Sequence, residues 1–278
     1  MKCRISFTIL AFVIALFSIS GCQSIEETPV ESVSESIPEA EPEPVKEPGP
    51  LDIDWPGTAW VLPDPADKSP KEFPGYRGFH LGVDGRLLLI NLDSAAGDTW
   101  QVSGNRITLS LLDGTPGLPL DGTFLIFQAD SGDQSDAVQS IRLVPEATPN
   151  AVGITLNRVK IKIDIIENHW IPMSLKDGET VMWPMNMEIH LMLLPDVGGL
   201  GVLGFGGENR FRGNILLKDE DFVIGPLSMT RRAGPALEFE NLYVQRITEA
   251  NRFVQAGDDL FLYADTYPVA AFRVRLFD

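Results

Sequence analysis

The feature that most constrains this chain is the length of its apolar runs. From Trp60 onward they are short, alternate with polar residues and are cut at close intervals by Gly, Asp and Asn. Short runs with a period of two form strands, whereas an amphipathic helix needs about ten residues or more at a period of 3.6. Phe79-His80-Leu81-Gly82-Val83 runs into Asp84-Gly85 and leaves as Arg86-Leu87-Leu88-Leu89-Ile90, the pattern of a tight hairpin. Trp100-Gln101-Val102, Ser103-Gly104-Asn105 and Ile107-Thr108-Leu109-Ser110-Leu111 repeat it. Residues 122–127, 140–143 and 153–156 read as further strands, with a polar loop at 130–136 and a connection at about 157–165. Regularly spaced strands without helices between them point to a small antiparallel barrel.

A second unit opens at His169-Trp170-Ile171-Pro172-Met173 and turns at Lys176-Asp177-Gly178. A strand over 187–194 leads into residues 198–213, which hold seven glycines. Strands near 213–218 and 221–224 precede one helix. Pro235 suits its first turn, and Phe239, Leu242, Tyr243, Ile247 and Ala250 share one face. Residues 253–254, 258–263 and 270–277 close the unit as strands. The expected fold is mainly β, α+β in the C-terminal unit: two small antiparallel β-barrel-like domains, the second with one helix. The expected spans are 55–158 and 165–278.

Neither unit can be held by a disulfide, because the two cysteines, Cys3 and Cys22, both precede them. Lys2 and Arg4 introduce an apolar run over 5–19, shorter than the roughly 20 residues a spanning helix needs. It ends in Ile19-Ser20-Gly21-Cys22, which resembles the lipobox of bacterial lipoproteins. The resemblance implies a signal peptide over 1–21 and lipid attachment at Cys22. More than one acyl chain there makes a stable membrane anchor. By the enterobacterial sorting rule, Gln23 in place of Asp implies the periplasmic face of the outer membrane. Residues 22–54 form an acidic, proline-rich tether. Eight Glu and six Pro within 23–50 leave too little apolar surface to offset the entropy of ordering.

The net charge of −17 excludes a nucleic-acid partner, which needs clustered Lys and Arg. Three histidines (His80, His169, His190), with no Gly-x-Ser-x-Gly elbow and no His-Glu-x-x-His pair, carry no catalytic constellation, so no enzyme and no cofactor is expected. Gly199-Leu200-Gly201-Val202-Leu203-Gly204 spells the dinucleotide fingerprint, but no helix follows it. Met173, Met182, Met185, Met187 and Met192 crowd near His169 and His190. Thioether and imidazole suit Cu(I), making Met185, Met187, His190 and Met192 the candidate ligands. Strand parity nevertheless sets Met185 and Met187 on the face of Ile189 and Leu191, with His190 and Met192 on the other, so core filling is the stronger reading. Trp60, Trp100, Trp170 and Phe79 fit either the mouth of a ligand-holding barrel or its packing. Asp258-Asp259 reads as a solvated turn, and Glu208-Asn209-Arg210 with Arg231-Arg232 as an exposed ion-paired patch.

Residues 165–278 resemble a META domain of the HslJ type. They carry Gly204-Phe205-Gly206-Gly207-Glu208-Asn209-Arg210-Phe211-Arg212-Gly213, then Ser228-Met229-Thr230-Arg231-Arg232-Ala233-Gly234-Pro235, then Glu238 in the helix. The family pattern has cysteines where Glu208 and Gly234 stand. Their joint loss is what a pair in the relatives implies, and a loop of about 27 residues closed that way is worth roughly 3 kcal/mol. The first unit resembles the barrel of NlpE-type lipoproteins but lacks their Cys-x-x-Cys motif. Together these resemblances imply a non-enzymatic, lipid-anchored envelope protein that binds an envelope protein partner in stress tolerance, or else a small-ligand or Cu(I) module.

Overall fold

The computed structural model describes residue 49 and residues 51–63, 78–90, 96–112, 120–129, 138–159, 164–177, 180–182, 184 and 188–275. Cys22, residues 1–21, most of the tether, the loop at 130–136, Met185 and Met187 lie outside the described residues.

The first sheet is an up-and-down meander of β1 (Thr58–Val61), β2 (Gly78–Leu81), β3 (Leu87–Ile90), β4 (Gly97–Ser103), β5 (Arg106–Leu111), β6 (Gly122–Gln128), β7 (Ser140–Pro145) and β8 (Ile154–Arg158). Each strand pairs antiparallel with its sequence neighbour except β3 with β4, and β8 returns to β1 through Trp60–Arg158 and Val61–Asn157. Among the described residues the seam between β3 and β4 is narrow: one bridge between Arg86 and Thr99, and the Trp100 N–H donating to the Gly85 carbonyl at 3.0 Å. Both expected hairpins form. Gly85 (φ +82°) and Gly104 (φ +62°) take the left-handed turn positions that a residue with a Cβ resists.

The second sheet comprises β9 (His169–Asp177), β10 (Thr180–Met182), β11 (His190–Asp196), β12 (Gly199–Phe205), β13 (Arg210–Lys218), β14 (Asp221–Ile224), β15 (Ser228–Met229), β16 (Arg252–Ala256), β17 (Asp259–Ala264) and β18 (Tyr267–Arg275). Pairing of β18 with β9 closes it into a second barrel. Strand β9 pairs with β11 only through His169 and Trp170, then with β10 from Leu175 to Asp177. The barrel splays there, just past Pro172, which has no N–H for a ladder. The helix α1 (Leu237–Glu249) packs against β9, with Phe239, Leu242, Tyr243 and Ile247 buried among Trp170, Leu191, Phe211 and Phe272. The helix therefore completes the core that the strands leave open. Ala250, expected on its apolar face, is buried as the C-cap.

Alternation breaks in two strands, and each break reports a second covered face. In β3, Leu87 and Leu89 enter the first core, whereas Leu88 and Ile90 point outward. In β17, Leu260 and Leu262 enter the second core, whereas Phe261 and Tyr263 point outward. The outward residues pack together with Ala59, Val254, Ala256 and Ala271 as a third apolar cluster joining the two barrels. Polar groups ring it. The Tyr263 hydroxyl donates to the Leu89 carbonyl at 3.0 Å, and burial pushes that phenol well above its ordinary range. His80 Nε2 donates to Glu220 Oε1 at 2.8 Å, and Arg252 bonds Asp84. Burial alone would raise the Asp84 carboxyl, but Arg252 and the Arg86 N–H outweigh it and hold it below its usual value. Its contribution is therefore present at neutral pH and lost as pH falls through that lowered value. Tyr263→Phe, which removes only the hydroxyl of this joint, is expected to lower the unfolding free energy by about 1 kcal/mol, read as a lower urea midpoint; an unchanged midpoint would show that the bond contributes nothing.

Candidate functional site

The glycine-dense motif between β12 and β13 builds a tight loop around one carboxylate. A Cβ on Gly206 would lie 2.5 Å from Glu240 Cγ, so the side chain of Glu240 lies flat against bare backbone. Glu240 comes from the first turn of α1 and is 1% exposed. Its Oε2 accepts the N–H groups of Glu208 (3.0 Å) and Asn209 (2.6 Å), and its Oε1 accepts Asn209 Nδ2 at 2.6 Å. Asn209 is itself saturated. Its Nδ2 also donates to the Arg232 carbonyl at 3.0 Å, and its Oδ1 accepts the Thr230 hydroxyl (2.9 Å) and the Arg232 N–H (2.6 Å). One asparagine thus ties the hairpin, the 230–232 segment and the helix together. The motif is a structural clamp. Glu238, the acidic helix residue of the resemblance, is exposed; the working carboxylate is Glu240, which sequence reasoning missed. The only signal was a position flanked by the buried Phe239 and set one turn before Tyr243 and Val244.

The expected ion-paired patch does not form. Glu208 Oε1 instead accepts the Ala236 N–H at 2.9 Å at the head of the helix, where a negative charge is favoured. A Cβ on Gly234 would fall 2.1 Å from the Glu208 carboxyl carbon. The two positions that are cysteines in the family pattern therefore adjoin here, with the Glu208 side chain filling the space beside Gly234. Among the described residues, Arg210, Arg212, Arg231 and Arg232 have no ion-pair partner, and all four are exposed.

The outer face of the second barrel gathers the remaining candidates. Cross-strand register sets Arg275, His169, Met192, Leu203 and Arg212 in one row over five strands, and His190, Phe205 and Arg210 in the next. Ile189 and Leu191 are buried on the opposite face, as parity predicts. The rings of His169 and His190 lie 5.2 Å apart, and His190 Nδ1 donates to the Glu188 carbonyl at 2.7 Å. Burial, then His190 and Arg275, pull the His169 imidazole below its ordinary value, favouring its neutral form. Among the described residues no group of three or more His, Cys, Asp or Glu could hold a metal ion. Alongside His190, a groove of about 620 Å³ is floored by Leu203 and Phe205, edged by Arg210 and Arg212, and walled by Ser228, Met229 and Thr230.

Other sequence candidates resolve as structure. The Gly199–Gly204 run is strand β12, and it feeds β13, so the dinucleotide fingerprint has no helix to serve it. Trp60 and Phe79 are fully buried in the first core and Trp170 in the second, so they pack rather than line a mouth. Trp100 is half-buried and donates from Nε1 to the Gly82 carbonyl at 3.0 Å. Asp259 is not solvated: it is 2% exposed and takes Arg273 Nε at 2.7 Å and Nη2 at 3.2 Å. Glu240→Gln would aim an amide donor at groups that are themselves donors. It is expected to destabilise the protein by about 3 kcal/mol in urea unfolding, and a loss below about 1 kcal/mol would show that the loop does not depend on this carboxylate.

With this geometry in place, residues 163–275 match the family model described as the META domain. Among solved structures, the chain is similar to an NMR structure of a protein from Burkholderia xenovorans, with 23% identity, 42% of this chain and 94% of that one covered, and a TM-score of 0.36. A second NMR structure aligns at 18% identity over 41% of this chain and 96% of its own, with a TM-score of 0.30. No curated protein matches the chain. Residues 163–275, carrying the Gly206–Asn209 loop clamped on Glu240, form a META domain.

Proposed function

We propose that this chain is a non-enzymatic lipoprotein of the bacterial envelope. Lipid on Cys22 holds it at the periplasmic face of the outer membrane, and it acts in stress tolerance by binding a partner through the outer face of its META domain. A META domain suggests a protein of the periplasmic or envelope type. The single observation carrying the binding reading is the groove over Leu203 and Phe205. Trp60, Phe79, Trp170, Tyr243 and Phe272 are buried in the barrel cores, whereas this groove leaves apolar side chains facing solvent beside guanidiniums with no ion-pair partner among the described residues. In cells, Cys22→Ser is expected to abolish acylation by mass spectrometry and move the protein out of the membrane fraction; unchanged lipid content and partitioning would end the anchor reading. A photoreactive phenylalanine at position 205 should give a discrete crosslinked adduct that one at exposed Val223 does not, and equal labelling from both would end the groove reading.

A second reading has its own observation. His169 and His190 adjoin, and Met192 stands directly across from His169, giving two imidazoles and a thioether on one outward face. That set suits a soft monovalent ion such as Cu(I). In this reading Met185 and Met187 are not needed. Titration with Ag(I) is expected to weaken at least tenfold on Met192→Leu, and an unchanged affinity would remove the site.

A further inference from the structure

We infer that the groove on the outer face of the META barrel is a site for a single anionic amphiphile, a molecule with an apolar chain ending in a carboxylate or phosphate. This rests on the groove being the binding surface proposed above, and it adds the chemistry of what enters. Residues Arg210 and Arg212 are two apart on β13, so their side chains leave the same face about 7 Å from one another. Both are exposed, and among the described residues neither has an ion-pair partner. In a chain of net charge −17, guanidiniums that find no carboxylate are unexpected. Arg231 and Arg232, equally unpaired, follow directly on Thr230 at the groove wall and add to the same positive field.

The rest of the lining is of opposite character. Phe205 pairs across to Arg210, and Leu203 to Arg212, so each guanidinium has an apolar neighbour beside it on the same face. Met229 also borders the groove, from the face it shares with its cross-strand partner Phe211. The groove therefore offers an apolar trough with a cationic rim at one side. A guanidinium presents paired N–H donors that match a carboxylate or phosphate, and the trough rewards a chain that leaves water. The groove has a volume of about 620 Å³, within the range of small-molecule sites. Ser228 also lines the wall, whereas the Thr230 hydroxyl is already bonded to Asn209 Oδ1.

The test is equilibrium dialysis of the full-length chain carrying Cys22→Ser, so that no attached lipid competes, against laurate held below its micellar concentration. Saturable binding in the micromolar range is expected, weakened at least tenfold by Arg210→Ala with Arg212→Ala and, separately, by Phe205→Ala. All three side chains stand outside the core, and an unchanged circular-dichroism melt confirms that each variant folds. Dodecanol, which keeps the chain without the charge, and inorganic phosphate, which keeps charge without the chain, should each bind at least tenfold more weakly. Absence of saturable laurate binding, equal binding by the arginine variant, or equal binding of dodecanol would overturn the proposal. So would arginine-dependent binding of hexaglutamate or of phosphatidylglycerol vesicles without laurate binding, which would assign the groove to an acidic peptide or to a bilayer. Laurate failing while position 205 still crosslinks in cells would remove the ligand class alone; loss of both would remove the groove reading as well.

Discussion

The second barrel depends on one buried carboxylate. Among the described residues β9 leaves β11 after two residues, and the helix packs on β9, β18, β14 and β17 to complete the core. Apolar burial presses the helix down but is non-directional, so it does not fix the helix's register along its own axis. Glu240 does. It inserts between Gly206 and Asn209, where three donors converge on two oxygens. A misplaced turn would leave those donors buried without partners, at about 1–3 kcal/mol each. The glycines follow from the same requirement, since a Cβ on Gly206 would occupy the space of the Glu240 side chain. Glu208 and Gly234 belong to the same assembly. Where the family pattern carries thiols, this chain has a carboxylate bonded to the helix head, so a polar contact stands where a covalent one is implied in relatives.

The two barrels are joined by a dry cluster with a polar ring. Leu88, Ile90, Phe261 and Tyr263 are buried although they point away from their own barrels. Around them lie the His80–Glu220 bond and the Arg252–Asp84 pair. Apolar area supplies the attraction, while directional bonds such as that of the buried Tyr263 hydroxyl to the Leu89 carbonyl favour one relative placement. The outward groove sits elsewhere, over β11, β12, β13 and β15. The joint uses β1–β3 and β16–β18, none of which lines the groove.

Much of the fold was legible in the residues. The Asp84-Gly85 and Ser103-Gly104-Asn105 turns, the short alternating runs and the single 3.6-period segment each formed as read, because these signals are local. The candidate site was legible only in part. Parity correctly separated His190 and Met192 from Ile189 and Leu191, but Glu240 looked like any acidic residue in a first helical turn. Its burial depends on a loop more than thirty residues earlier in the chain. Asp259 was misread for the same reason: its partner Arg273 lies on the next strand.

By itself, the sequence determined the β character, the division into two units, the place of the helix and the confinement of both cysteines to the first 22 residues. Each is a matter of local period, turn chemistry or composition, and none needs a distant residue. Tertiary structure alone decided which outward faces are covered, which acid is buried and which arginines have no ion-pair partner among the described residues. Those outcomes depend on strand register and on contacts between residues far apart in the chain, and a one-residue slip in register would exchange every inward side chain for an outward one.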